Sequence, residues 1–144
     1  PICLASQLSA KADMLNGLTG GTLITSVSFR NISGRACVLS GTPLLIPLGR
    51  RHEALAHRAA RLDGDFGRAS PVVLMPKVAD PAFLPISVSA LDPSGDTGCQ
   101  TSPVDISYWR VELPGGHGSV IADARPFRIS TCEGKLRSGA ITPT

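Results

Sequence analysis

Few side chains in this chain are of a type and spacing that could do chemistry. His52, His57 and His117 are its histidines. A metal site needs several ligands that converge, and a five-residue spacing between His52 and His57 is a poor match to one helix face. Asp63 with Asp65, and Asp92 with Asp96, offer oxygen ligands for calcium. Neither loop carries the full oxygen series or the closing acid of an EF-hand, and turn capping accounts for both pairs. Gly116-His117-Gly118-Ser119 brings a histidine and a serine together, so a small hydrolase using Ser119 and His117 is one candidate. No serine stands in a Gly-x-Ser-x-Gly elbow, however, and no third group is identified to orient the histidine. Pro114-Gly115-Gly116 lacks the Lys-Ser/Thr ending of a phosphate loop. No catalytic residue, metal or cofactor is assigned on this basis.

Binding chemistry is better represented. Tyr108 and Arg110 alternate along one side of an apolar run, and an aromatic beside an arginine is a common interface anchor. Arg51, Arg58 and Arg61 share a stripe in an Ala-rich segment, where they could meet acidic lipids or acidic polymers. The apolar side of that segment is narrow and weak for membrane insertion. A packed connection with a solvated arginine face is the preferred reading.

Four cysteines, Cys3, Cys37, Cys99 and Cys132, lack the close pairs of common zinc sites. Four allow three pairings. Joining neighbours in sequence gives Cys3–Cys37 and Cys99–Cys132, each adding roughly 3–4 kcal/mol through loop entropy. Two such bridges place the protein in an oxidising compartment and leave no thiolate for catalysis.

These residues need elements to hold them. A chain of 144 residues is most simply one domain, 1–144, able to bury a core. Charged residues are sparse, Gly and Pro are plentiful, and no run reaches membrane-spanning length. A formal net charge of +3, nearly all from arginine on the basic side, favours solubility over a nucleic-acid footprint. Pro1-Ile2-Cys3 shows neither an initiator Met nor a signal peptide, so an upstream signal or lipid anchor is expected.

The organising stretch is Gly20 to Pro43. Leu23, Thr25, Val27 and Phe29 alternate with polar residues, as in a strand with one buried face. Asn31-Ile32-Ser33-Gly34 then reads as a turn, preferred over its match to a glycosylation acceptor. Ala36 to Leu39 resumes as a strand carrying Cys37. Residues 1–9 read as a short strand or its lead-in, and 10–19 as one helical turn or a loop. Pro43 to Gly49 suits an edge strand, because proline cannot donate to a ladder.

In residues 50–62, Leu55, Ala59 and Leu62 fall at helical spacing. A short helix or mobile crossover is expected near residues 50–63. Further strands are expected at 72–75, at 85–91, over Val104 to Leu113 as the longest, from Val120, toward Cys132, and from Leu136. On the Val104–Leu113 run, Trp109, Val111 and Leu113 should face the core, with Ile106, Tyr108, Arg110 and Glu112 opposite. Many short strands between Gly/Pro turns indicate an all-β sandwich or, as the alternative, a small barrel.

The order of an early Cys3, the strand Val27-Ser28-Phe29-Arg30-Asn31 and the run Cys37-Val38-Leu39-Ser40-Gly41-Thr42-Pro43 resembles a family across nearly the whole chain. That family is domain of unknown function 4232, from secreted proteins and lipoproteins of actinobacteria. Cys99 before Thr101-Ser102-Pro103, and Cys132 before the closing strand, continue the resemblance. Thr42 departs from it where an aromatic is common, and the arginine-rich 50–70 is not a shared feature. The resemblance implies an immunoglobulin-like β-sandwich, which the long central excursion makes a Greek-key one, together with export and the disulfide pairing given above. It implies no activity.

The function expected from these readings is a non-catalytic extracellular or cell-envelope domain that binds a protein or an envelope polymer. A structural spacer of a lipoprotein is the alternative, beside the Ser119–His117 hydrolase. The expected location is extracellular, or anchored on the outer face of the envelope.

Overall fold

The computed structural model describes residues 1–19, 22–55, 60–61, 70–77, 80–89, 104–127, 129–131 and 136–143. The fold is largely all-β, with most strands antiparallel. Its strands are β1 (Leu8–Thr19), β2 (Thr22–Asn31), β3 (Cys37–Leu39), β4 (Leu44–Leu48), β5 (Ala60–Arg61) and β6 (Val72–Leu74), followed by β7 (Ala82–Ser89), β8 (Val104–Ile106), β9 (Tyr108–Glu112), β10 (Ser119–Asp123), β11 (Ile129–Thr131) and β12 (Leu136–Ser138). They form a five-stranded sheet β1-β2-β7-β12-β5, a three-stranded sheet β10-β9-β4, and the pairs β11-β8 and β3-β6. None of these sheets closes on itself. The barrel expected as the alternative is therefore not formed by the described residues.

Residues 10–19 are strand, where a helical turn or loop was expected. Local composition favours neither outcome strongly, and pairing with β2 decides it. Leu8 and Ala12 are buried, Ser9 and Lys11 exposed, and the register runs from Leu8 opposite Asn31 to Thr19 opposite Thr22. In β2, Thr25, Val27 and Phe29 are buried as expected, but Ser26 and Ser28 are buried too. The strand is central, and the hydroxyls of Ser28 and Thr25 tolerate that position by bonding locally, while the Ser26 Oγ has no hydrogen-bond partner among the described residues. Ser28 Oγ donates to Asp13 Oδ2 at 3.1 Å, and Thr25 Oγ1 donates to the Asp13 carbonyl.

The expected helix near 50–63 is absent from its described part. His52 takes a φ of 61°, a left-handed value that ends any right-handed helix. The chain instead folds back on β4. Gly49 N–H donates to the Glu53 carbonyl at 2.9 Å, and Leu55 N–H to the Pro47 carbonyl at 3.0 Å. Ala60–Arg61 runs as β5, parallel to β12. Residues 56–59 and 62–63 lie outside the described residues, as do Cys99 and Cys132 with their expected bridge, and the calcium candidates Asp63, Asp65, Asp92 and Asp96.

The run Val104 to Leu113 is two strands. Buried Ser107 divides them, donating its N–H to the Leu48 carbonyl and accepting from Ala124 N–H, both at 2.9 Å. This break moves the chain from the β11-β8 pair into the β10-β9-β4 sheet. It also resets the alternation, so Ile106 lies in the core and not beside Tyr108. The Pro43 to Gly49 run is an edge strand as expected, since β4 pairs only with β9 among the named strands.

One continuous core joins these sheets, with Phe29, Leu84, Ile86, Trp109, Val111 and Leu136 among its members. Cys3 and Cys37 are bonded, with Cα atoms 4.8 Å apart, and lie in the same core. Gly118 fits here for steric reasons. Its φ is +96°, and a Cβ on it would stand 2.8 Å from the Ala5 methyl.

Candidate binding face and cleft

The β9 strand points Trp109 and Val111 inward, fully buried, and Tyr108, Arg110 and Glu112 outward. Antiparallel pairing then fixes which residues of β10 share that outward face. Ser119 lies opposite Glu112, Ile121 opposite Arg110 and Asp123 opposite Tyr108. Residues directly opposite on one face are near enough to interact.

A cluster forms around Tyr108. The His52 ring meets its edge at a centroid distance of 4.3 Å, and the Arg125 guanidinium lies over it at 5.0 Å. Asp123 clamps Arg125 from the side. Arg125 Nε donates to Asp123 Oδ1 at 2.9 Å and Nη2 to Oδ2 at 2.7 Å, a bidentate pair. These bonds hold the Asp123 pKa down at about 2, with the guanidinium hydrogen bond the first cause and the Arg125 backbone N–H the second. The same partner raises the Arg125 pKa. Arg110 pairs with Glu112 at 2.7 Å, and its Nε is buried with no hydrogen-bond partner among the described residues.

A cleft of about 740 Å³ opens beside this cluster. Three strand ends build it. Arg50 follows β4, Arg125 follows β10, and Asp105, Ile106 and Ser107 come from the β8–β9 junction. β11 adds Ile129 and Ser130, which sit opposite Ile106 and Asp105. The floor is thus two buried isoleucines and a buried serine, and the rim is two guanidiniums, a carboxylate and a hydroxyl. Ser130 Oγ donates to Asp105 Oδ1.

The structure places Tyr108 and Arg110 on one outward face, as the alternation predicts. Among the described residues, no hydrogen bond or ion pair joins Arg51 to them. Arg51 N–H donates to Glu53 Oε1 at 2.9 Å, and the pKa of Glu53 is lowered, first by its own backbone N–H and then by that of Arg51. The side chain of Arg61 and all of Arg58 and His57 lie outside the described residues. His117 and Ser119 share no hydrogen bond, and no carboxylate bonds His117, among the described residues. His117 contributes its carbonyl to Ala5 N–H at 3.0 Å. Ser119 is exposed at the start of β10.

Reading the sequence missed Asp123, Arg125, Arg50, Asp105 and Ser130 as site residues. A signal for Asp123 exists, because counting back from the Gly-rich connector 114–118 sets it opposite Tyr108. Nothing comparable points to Arg50 or Ser130, which arrive from other sheet ends. Among the described residues, no group of three or more His, Cys, Asp or Glu comes together to hold a metal ion, and no helix is long and apolar enough to cross a membrane.

Residues 3–142 match the family model described as Domain of unknown function (DUF4232). No curated protein and no solved structure matches the chain.

Proposed function

The chain belongs to the DUF4232 family, and on that premise we propose that it is a non-catalytic extracellular or cell-envelope binding domain. It takes a protein or an envelope polymer on the outward face of β9 and the strand ends beside it. The observation that carries this reading is the cluster of Tyr108 with His52, Arg125 and Asp123. An aromatic and a guanidinium are the side chains most often found as interface anchors. Here they are already held in one arrangement, which lowers the entropy cost of binding.

The Cys3–Cys37 bridge supports an oxidising location on the outer face of the envelope, with or without a lipid anchor. The finer fold belongs to the same proposal. The sheets are read as an immunoglobulin-like Greek-key sandwich, supported by the shared core between β1-β2-β7-β12 and β10-β9-β4.

The test is capture from envelope fractions on the immobilised, folded domain, beside a Tyr108→Ala/Arg125→Ala variant checked for folding by circular dichroism. Saturable retention by the parent chain, lost in the variant, is the expected result. Equal retention by both, or turnover of an envelope substrate that a single substitution abolishes, removes the proposal.

A further inference from the structure

The cleft between Arg50 and Arg125 has a chemistry more specific than a general binding face. Arg125 spends two of its N–H donors on Asp123. A guanidinium carries five, so three remain on a group whose position is fixed. Arg50 is exposed and has no ion pair among the described residues. Both reach the cleft from strand ends, and both suit the oxygens of a carboxylate or a phosphate.

The rest of the lining argues against a simple anion site. Asp105 stands on the same rim, and its charge disfavours a ligand that is anionic throughout. A carboxylate accepts hydrogen bonds from hydroxyl groups, and the Ser130 hydroxyl already fixes one of its oxygens. Ile106 and Ile129 close the cleft from beneath, nearly fully buried, and the methylene stems of Arg50 and Arg125 offer the apolar side against which the C–H face of a ring can lie. One acidic group, several hydroxyls and one apolar face together describe an acidic sugar. The cleft volume of about 740 Å³ is ample for one unit of a chain that continues into solvent.

We propose that this cleft binds an acidic sugar unit of an envelope glycan, its anionic group between Arg50 and Arg125 and its hydroxyls on Asp105. This rests on the reading of the domain as a binding module and names the polymer class that module takes. The anionic group is a carboxylate or a phosphate, which the chain meets with the same donors.

The experiment is a titration of the isotopically labelled full chain, followed by backbone amide shifts and calorimetry. The probes are a glucuronic acid hexasaccharide, a phosphodiester-linked glucose hexamer, a neutral glucose hexasaccharide and inorganic phosphate. The expected result is saturable shifts at Asp105 to Ser107 and at Ile129 and Ser130 with one or both acidic oligomers. Which of them binds decides between carboxylate and phosphate. The neutral oligomer gives no saturable shift, and inorganic phosphate binds at least about tenfold more weakly.

Arg50→Ala should weaken the acidic oligomer by about tenfold, and rising salt should weaken it further. Asp105→Asn should weaken the oligomer while leaving inorganic phosphate unchanged or tighter. Because Arg50 and Asp105 are exposed, both variants should keep the amide spectrum of the parent outside the cleft. The inference is overturned if neither acidic oligomer gives saturable shifts, if the neutral oligomer binds as well, or if inorganic phosphate binds as tightly. Envelope capture that persists in the absence of any sugar binding overturns this inference alone. Loss of capture as well overturns the broader reading with it.

Discussion

At the Cys3–Cys37 corner, polar groups are spent within the protein. Asn31 is buried, and its Nδ2 donates to the carbonyls of Arg35 at 2.6 Å and Leu74 at 2.9 Å. Its Oδ1 accepts from Ser33 N–H at 2.9 Å and from the Ser33 hydroxyl at 2.7 Å. The outward side chains there include apolar Ile2 and Val73, each beside Val38. At the Arg50–Arg125 cleft the balance is reversed. Tyr108, Asp123 and Arg125 are tied to one another, yet Arg50, the remaining donors of Arg125 and one oxygen of Asp105 face outward. One region uses hydrogen bonds to fix the chain, and the other leaves donors and acceptors open, which is the arrangement the proposed binding role requires. On that proposal the contrast separates stability from recognition, and it can be broken by experiment.

The largest effect expected is at the disulfide. Replacing both Cys3 and Cys37 by Ser should cost roughly 3–4 kcal/mol, or about 10 °C in melting temperature for a chain of this size. Calorimetry reads this directly, and an unchanged transition would remove the first half of the comparison. Asn31→Ala comes next. It takes the Asn31 side chain from the Leu74 carbonyl and the Ser33 N–H, while the Arg35 carbonyl keeps the Ser33 hydroxyl at 3.0 Å, and about 2 kcal/mol of stability should be lost in urea unfolding. A loss as small as that of an exposed substitution would show that the turn is held by backbone alone.

Tyr108→Ala should cost only about 1 kcal/mol of stability, since a partly exposed cation–π contact is worth little. Tyr108→Phe should cost less still, because the ring under Arg125 is kept. If Tyr108→Ala instead matched the disulfide loss, the cleft region would be structural after all.

The smallest effect concerns pH. The folded pKa of Asp123 lies below its ordinary 3.8, at about 2. The stabilisation from its charged form is therefore complete above about pH 4 and is lost as the pH falls through 2. Carboxyl chemical shifts followed by NMR should place the Asp123 midpoint in that low range. Asp123→Asn should abolish the titration and release Arg125 from its fixed position. A midpoint near the ordinary value would mean that Arg125 is not clamped in solution.

Particular residues show how far the sequence could be read. The alternation around Trp109 was legible, because burial of one sheet face leaves a period of two. So was the Asn31 turn, whose side chain bonds two residues ahead. The strand from Leu8 to Thr19 was not, because Ala, Lys and Asp have weak strand preference and only the partner β2 forces it. Of the short helix or crossover expected in 50–63, the described part is not helical, for the opposite reason. Its helical spacing is real, but backbone bonds from Gly49 and Leu55 to the Glu53 and Pro47 carbonyls fold the described part back on β4.

By itself the sequence determined the all-β character, the turn that precedes Cys37, the inward Trp109 and the outward Tyr108 with Arg110. All of these follow from local spacing and from the conformations that Gly, Pro and Asn allow. Only the tertiary structure decided that Ser107 divides one long run into two strands, and that Arg50, Arg125 and Asp105 share a cleft. Those residues come from different strand ends far apart in the chain, and no local period records which ends meet. Long-range pairing and the shared core set that meeting, because they alone fix the register of one sheet against another.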